Sequence, residues 1–224
     1  VYRHTQDGDR QPLDKGAGLF ARAARGLLAE RGLELCLEDE GRLSDAGLRH
    51  AFATRVFAAA RWRSLGEGLA DASPRSVRRE LERFHAAHKV LLLIHDEVTC
   101  RRMGRLVATS AVLEPDELLE RYGRWFHRAL ATTPHPRRHL NALQHLAGYL
   151  RGTATPRDRA SLARAIDDFA AGQVPLSVPL ALLDHLLERH DLDYPLAQHY
   201  RRPFPRELGL ASRLFCAPPR RRAS

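Results

Sequence analysis

From Ser73 onward every segment of this chain is written in the grammar of a helix, and that constrains the fold more than any other feature. Ser73 followed by Pro74 opens the first segment: the ring carries a helical φ, and its missing N–H falls where a helix has no acceptor to offer it. "EPDELLERYGRWFHRAL" and "RRHLNALQHLAGYLR" come next; "TPRDRASLARAIDDFAAG" then begins on a Thr cap with Pro and is expected to stop at Gly172. "VPLALLDHLLERH" starts another helix after Pro179. No alternating strand pattern interrupts the series. The expected fold class is therefore mainly α, a C-terminal all-α helical bundle.

Ahead of Ser73 the pattern differs. Gly, Pro and Asp turn signals follow a short possible strand at Val1 to Arg3, and a helix is expected over about Gly18 to Glu30. "GLELCLEDEGRL" alternates at Leu33, Leu35 and Leu37, as a strand does, before a turn. Ser44 with Asp45 caps a helix carrying Leu48, Phe52, Val56 and Trp62, expected to end near Arg63, with "SLGEGLADASP" as a linker. These residues read as a small α/β N-terminal remnant. The Pro- and Arg-rich end "APPRRRAS" reads as a disordered basic tail.

The longest apolar run, "KVLLLIHD", is far short of the ~18 to 20 residues of a membrane span, and the location expected is cytoplasmic, with no membrane partner. Cys36, Cys100 and Cys216 are odd in number and far apart, which excludes a disulfide framework or a CxxC metal site. Composition says more about partners. The net charge is +9, and 34 of the 36 basic residues are arginine, whose flat guanidinium binds phosphate bidentately and stacks on bases. A polyanion such as RNA is favoured, although an arginine-rich composition balancing 27 acidic residues would look the same.

One helix face stands out against this background. At roughly 100° per residue, Leu140, Leu143, Leu146, Ala147 and Leu150 share a side of "RRHLNALQHLAGYLR", opposite Asn141, Gln144, His145, Gly148 and Arg151. Solvated faces elsewhere are written in Arg and Glu, and Asn141 is the sole asparagine in the chain. Such amides can read a base edge or a ribose hydroxyl; they can equally form a satisfied polar layer inside a bundle.

His85, His88 and His95 lie within about 80° of one another on the wheel of "FHAAHKVLLLIHD". They form a candidate polar seam, hydrogen-bonding to neighbouring helices or to phosphate; the spacing lacks the glutamate of HExxH, and no metal is assigned to it. Lys89 offers a compact point charge in a chain that otherwise writes Arg. Arg101, Arg102 and Arg105 surround Gly104, which admits either a packed helix or a sugar-phosphate backbone. In "DYPLAQHYRRPFPRELGL", Tyr194, Tyr200 and Phe204 interleave with Arg201, Arg202 and Arg206, in the manner of a base-stacking surface or as core aromatics.

The segments "FHAAHKVLLLIH", "MGRLVA", "HLNALQHLAGYLR", "GQVPLSVPLALLDH" and "YPLAQHYRRPFPRELGL" closely resemble the YbgA-like helical domain of unknown function in bacteria, over about Phe84 to Leu210. Separately, "GAGLFARAARGLLAERGLELCLEDEGRLSDAGLRHAFATRVFAAARWR" resembles the C-terminal half of a thiouracil desulfidase (TudS-type) domain, often fused ahead of a YbgA-like one. The resemblance implies three parts: residues 1–70 as a truncated TudS-type α/β domain, 73–214 as the YbgA-like domain and 215–224 as the tail. It further implies a tRNA 4-thiouridine desulfidase, in which three cysteines of the first domain hold a 4Fe-4S cluster and the YbgA-like part binds RNA. The cluster cysteines belong to a half-domain that would precede Val1, so no cofactor and no catalytic residue is assigned here, and the chain as given is expected to be inactive.

The expected function is thus an RNA-binding helical module of a desulfidase-type protein, with tRNA or other RNA and the missing N-terminal desulfidase half as partners. Its expected contacts are Lys89, Arg105, Asn141, Gln144, His145 and Arg151. The alternatives are a stand-alone helical enzyme with a His-rich site and a protein-docking helical domain. Residues 1 to about 70, carrying half a sheet, are expected to be less stable than the helical part or to dock on it.

Overall fold

The computed structural model describes residues 23, 24, 26–28 and 37–208. The strands expected at Val1 to Arg3 and Leu33 to Leu37 and the basic tail lie largely or wholly outside these residues, and among the described residues no β-strand is formed. The fold is mainly α.

A short helix α1 (Glu40–Leu43) leads into α2 (Ala46–Gly68), whose Asp45 cap accepts from the Leu48 N–H at 2.8 Å. Next come α3 (Pro74–His95) and α4 (Glu97–Ala108), joined by the single residue Asp96. That residue ends one helix and starts the next: its carboxylate accepts from the Thr99 N–H at 3.0 Å and the Thr99 hydroxyl at 2.7 Å. Helices α5 (Pro115–Ala131), α6 (Pro136–Ala147) and α7 (Pro156–Ala170) each begin on proline. A 3-10 turn, Gly148–Gly152, continues α6, and α8 (Ser177–Arg189) and the one-turn α9 (Asp193–Leu196) complete the series.

Three element bounds differ from the sequence reading. Helix α2 runs past Arg63 through "SLGEG", because Leu65 and Leu69 pack inward and neither Gly66 nor Gly68 has an obligation elsewhere. Only Leu69 to Ser73 remain as a connection. Helix α8 begins at Ser177, two residues before Pro179, which fits inside the first turn because those N–H groups lack intrahelical acceptors anyway. The "RRHLNALQHLAGYLR" helix tightens at Gly148 into 3-10 form. Gly172 does end α7, at a left-handed φ of 75° that glycine adopts without strain.

Helix α3 is central: it packs against α4, α5 and α6, while α6, α7 and α8 close the other side. Leu81, Leu91, Leu92, Met103, Leu118, Tyr122, Phe126, Leu143, Leu146 and Phe169 form a continuous buried core. The early helix α2 docks on this core through Trp62, which stacks on Tyr122 at 5.2 Å and meets Phe84 and Phe126 at 5.4 and 5.8 Å. Gly123 provides the room: a Cβ there would sit 3.0 to 3.2 Å from three indole atoms. Gly123→Ala is therefore expected to lose about 1–3 kcal/mol despite alanine's ~1 kcal/mol helical advantage, read as a lower urea midpoint. A raised midpoint would show that the indole yields freely.

A second joint ties the C-terminal segment to α3. The Gln198 amide lies across Ala86 O and Val90 N, the two groups that one hydrogen bond of a regular helix would join. Its Nε2 donates to Ala86 O at 2.8 Å, its Oε1 accepts from Val90 N at 3.1 Å, and the neighbouring His199 N–H donates to Ala87 O at 2.9 Å.

Candidate functional site

The apolar stripe of α6 sends Leu143, Leu146 and, through the 3-10 turn, Leu150 into the core. The opposite side is left to solvent: Asn141, Gln144, His145 and Arg151 are all exposed, with Gly148 half-buried among them. A polar layer sealed inside a bundle is not what these residues form. Tyr149, which the wheel had placed with neither stripe, is 40% exposed and joins them, meeting His145 edge-on at 5.7 Å. Its ring also lies 5.3 Å from that of Tyr194, so a row of three rings, His145, Tyr149 and Tyr194, flanks the amides.

Lys89 on α3 and Arg105 on α4 are exposed as well. The Cys100 thiol of α4 lies 3.7 Å from the Lys89 carbonyl oxygen. Many surface arginines are committed to acids, as Arg101 is to Glu97 at 2.5 Å and Arg124 to Glu120 at 2.8 Å. Lys89, Arg105 and Arg151 have no such partner among the described residues, so a phosphate would displace nothing to reach them.

The three seam histidines are buried and diverge in role. His88 is 1% exposed; its Nδ1–H donates to Phe84 O at 2.8 Å, and its ring stacks on Phe84 and leans on His199. His95 is fully buried and donates from Nδ1 to Thr132 O at 2.5 Å. His85, 8% exposed, pairs its Nδ1 with the Tyr122 hydroxyl at 3.1 Å. Burial holds the imidazoles neutral, to about 3 at His88 and about 4 at His95, while burial and then the Lys89 charge hold His85 at about 4. Among the described residues no group of three or more His, Cys, Asp or Glu is arranged to hold a metal ion.

In the C-terminal stretch only part of the aromatic and arginine interleaving is available to a partner. Tyr200 and Phe204 are buried; Arg201 is fixed by Asp184 at 2.5 Å and Leu196 O at 2.7 Å, and Arg202 by Asp184 at 3.3 Å and by Glu188. These arginines brace the fold, leaving Tyr194 as the half-exposed ring of the set. His139, buried with its Nδ1 3.2 Å from the Tyr200 hydroxyl, Gln198 and Gly123 carry structural contacts that the sequence pattern does not mark. A glycine in mid-helix, as in "RYGRWF", was the one signal that could have marked a close contact.

Residues 89–205 match the family described as "Protein of unknown function (DUF1722)". The chain belongs to the DUF1722 family. Among curated proteins it is 29% identical over 130 residues to "Uncharacterized protein YbgA" of Escherichia coli (strain K12), an overlap covering 57% of this chain and 76% of that protein. No solved structure matches. The DUF1722 region holds Lys89, Arg105, the whole exposed face of α6 and Tyr194, and it lies within the Phe84 to Leu210 span on which the YbgA-like resemblance rests.

Proposed function

We propose that this DUF1722 chain is the RNA-binding helical module of a tRNA 4-thiouridine (thiouracil) desulfidase-type protein of the cytoplasm. The observation that carries the RNA reading is the exposed face of α6, where Asn141, Gln144 and His145 sit beside the Tyr149 and Tyr194 rings, with Arg151 one turn on. Amides suit base edges and ribose hydroxyls, the rings suit an unstacked base, and the unpaired cations Lys89, Arg105 and Arg151 suit the backbone. The net charge of +9 works in the same direction. No helix of the described residues is long and apolar enough to cross a membrane.

The desulfidase assignment comes from the TudS-type resemblance of the early residues alone. A 4Fe-4S cluster does not fit the described residues: Cys100 is buried, burial pushes its thiol up to about 11, and no cysteine or histidine set surrounds it. Cys36 and Cys216 lie outside the described residues. Any cluster chemistry belongs to the half-domain expected as a partner.

The test is a salt series of binding to bulk tRNA, beside a DNA duplex of matched length. Preference for tRNA with a steep loss on adding salt supports the reading, and equal or absent binding sinks it. Replacing Arg105 and Arg151 together by Gln is expected to weaken tRNA binding on the order of tenfold or more and to flatten the log–log salt slope by about 1.5 to 2. An unchanged slope would remove both from the footprint.

A further inference from the structure

We propose that the notch where α3 lies against Gly104 of α4 is a seat for a phosphoryl oxyanion, held by the Nε2–H of His85 and the ammonium of Lys89. Tyr122 fixes the first donor. Its hydroxyl is buried, burial keeps it protonated, and its one hydrogen-bonding neighbour among the described residues is His85 Nδ1 at 3.1 Å. The phenol therefore donates to Nδ1, and the neutral imidazole carries its own proton on Nε2.

Gly104 of α4 lies beside that nitrogen. A Cβ there would sit 3.4 Å from His85 Nε2 and meet no other neighbouring heavy atom within 4 Å, so the glycine leaves free the volume a methyl would take beside the donor. The Nε2 atoms of His88 and His95 are sealed in the interior without partners, whereas that of His85 is not sealed with them. Lys89 stands one helical turn along α3, exposed, without an acidic partner among the described residues, and close enough for its charge to act on the His85 ring. Of the nearby acids, Glu97 is paired with Arg101, and Asp96 caps α4 by accepting from Thr99. A preset N–H and a compact, unpaired ammonium around an open notch match a phosphate oxygen, and lysine's point charge suits that task better than the arginine used almost everywhere else. The seat shares Lys89 with the proposed RNA footprint but uses no residue of the α6 face.

Two-dimensional NMR of the full chain with 15N-labelled histidine, titrated with inorganic phosphate at pH 7, tests this. The His85 Nε2 resonance is expected to shift saturably, with affinity falling about tenfold in Lys89→Gln and the shift lost in Gly104→Ala, whose methyl fills the notch at an ordinary contact distance. A linear shift, no shift, or a saturable one that survives both substitutions overturns the seat. A parallel titration with a short single-stranded oligoribonucleotide tells the sources apart. Tighter saturation than with phosphate supports the seat as one for a nucleic-acid backbone, and weaker saturation supports it as one for a small free phosphate. Loss of tRNA binding in the Arg105/Arg151 variant with the phosphate response intact would separate the two sites.

Discussion

Lowering the pH from 7.5 to 5.0 is expected to remove on the order of 6 kcal/mol of folding stability, comparable with the whole ~5–15 kcal/mol of an ordinary domain. The main source is His88, His95 and His139, all essentially without solvent contact and held by burial at about 3, about 4 and about 3, while His50, His85 and His199, each lowered by burial to about 4, act in the same direction. In the unfolded chain each returns to an ordinary value near 6.5, so between pH 6.5 and 4 the unfolded state binds more protons than the folded one. Stability is then full above about 6.5 and declines as the pH falls, by about 2 kcal/mol per histidine at pH 5. The carboxylates held low in the fold, Glu38 and Asp96, act in the same direction but only in stronger acid. Urea midpoints at the two pH values provide the measurement, and equal midpoints would mean that these rings accept protons in place.

Trp62→Ala is the second large effect, expected at about 3 kcal/mol or more, since a partly buried indole is lost from between three aromatic rings. The consequence is regional as well as global. Amide exchange over residues 46–68 should accelerate more than exchange in α3 to α8, because Trp62 is the aromatic anchor of α2 on the core. Uniform acceleration would show that α2 and the rest open only together, and an unchanged midpoint would remove the anchor from consideration.

The sequence spells out where helices start far better than what their polar side chains meet. Pro74, Pro115, Pro136 and Pro156 each stand at the first helical position, and the Ser73 and Thr155 caps accept from backbone N–H groups as their residue types suggest. Such signals are local, so they survive any tertiary arrangement. The end of α2 was illegible because Gly66 and Gly68 look like breakers until Leu65 and Leu69 are seen to pack. The exposed amides of α6 follow from the wheel, and Tyr149 joins them as the i+4 neighbour of His145. The histidines show the limit most clearly: the wheel groups His85, His88 and His95, but Tyr122 and Thr132, the partners that give His85 and His95 different roles, each lie 37 residues away along the chain.

The Gln198 amide across Ala86 and Val90 has a consequence for how the protein is made. The Gln198 amide that braces α3 at Ala86 and Val90 is translated 108 to 112 residues after the groups it bonds. Until then the nascent chain holds its central helix without this brace. A residue synthesised more than a hundred positions later is thus the clasp that closes over the central helix.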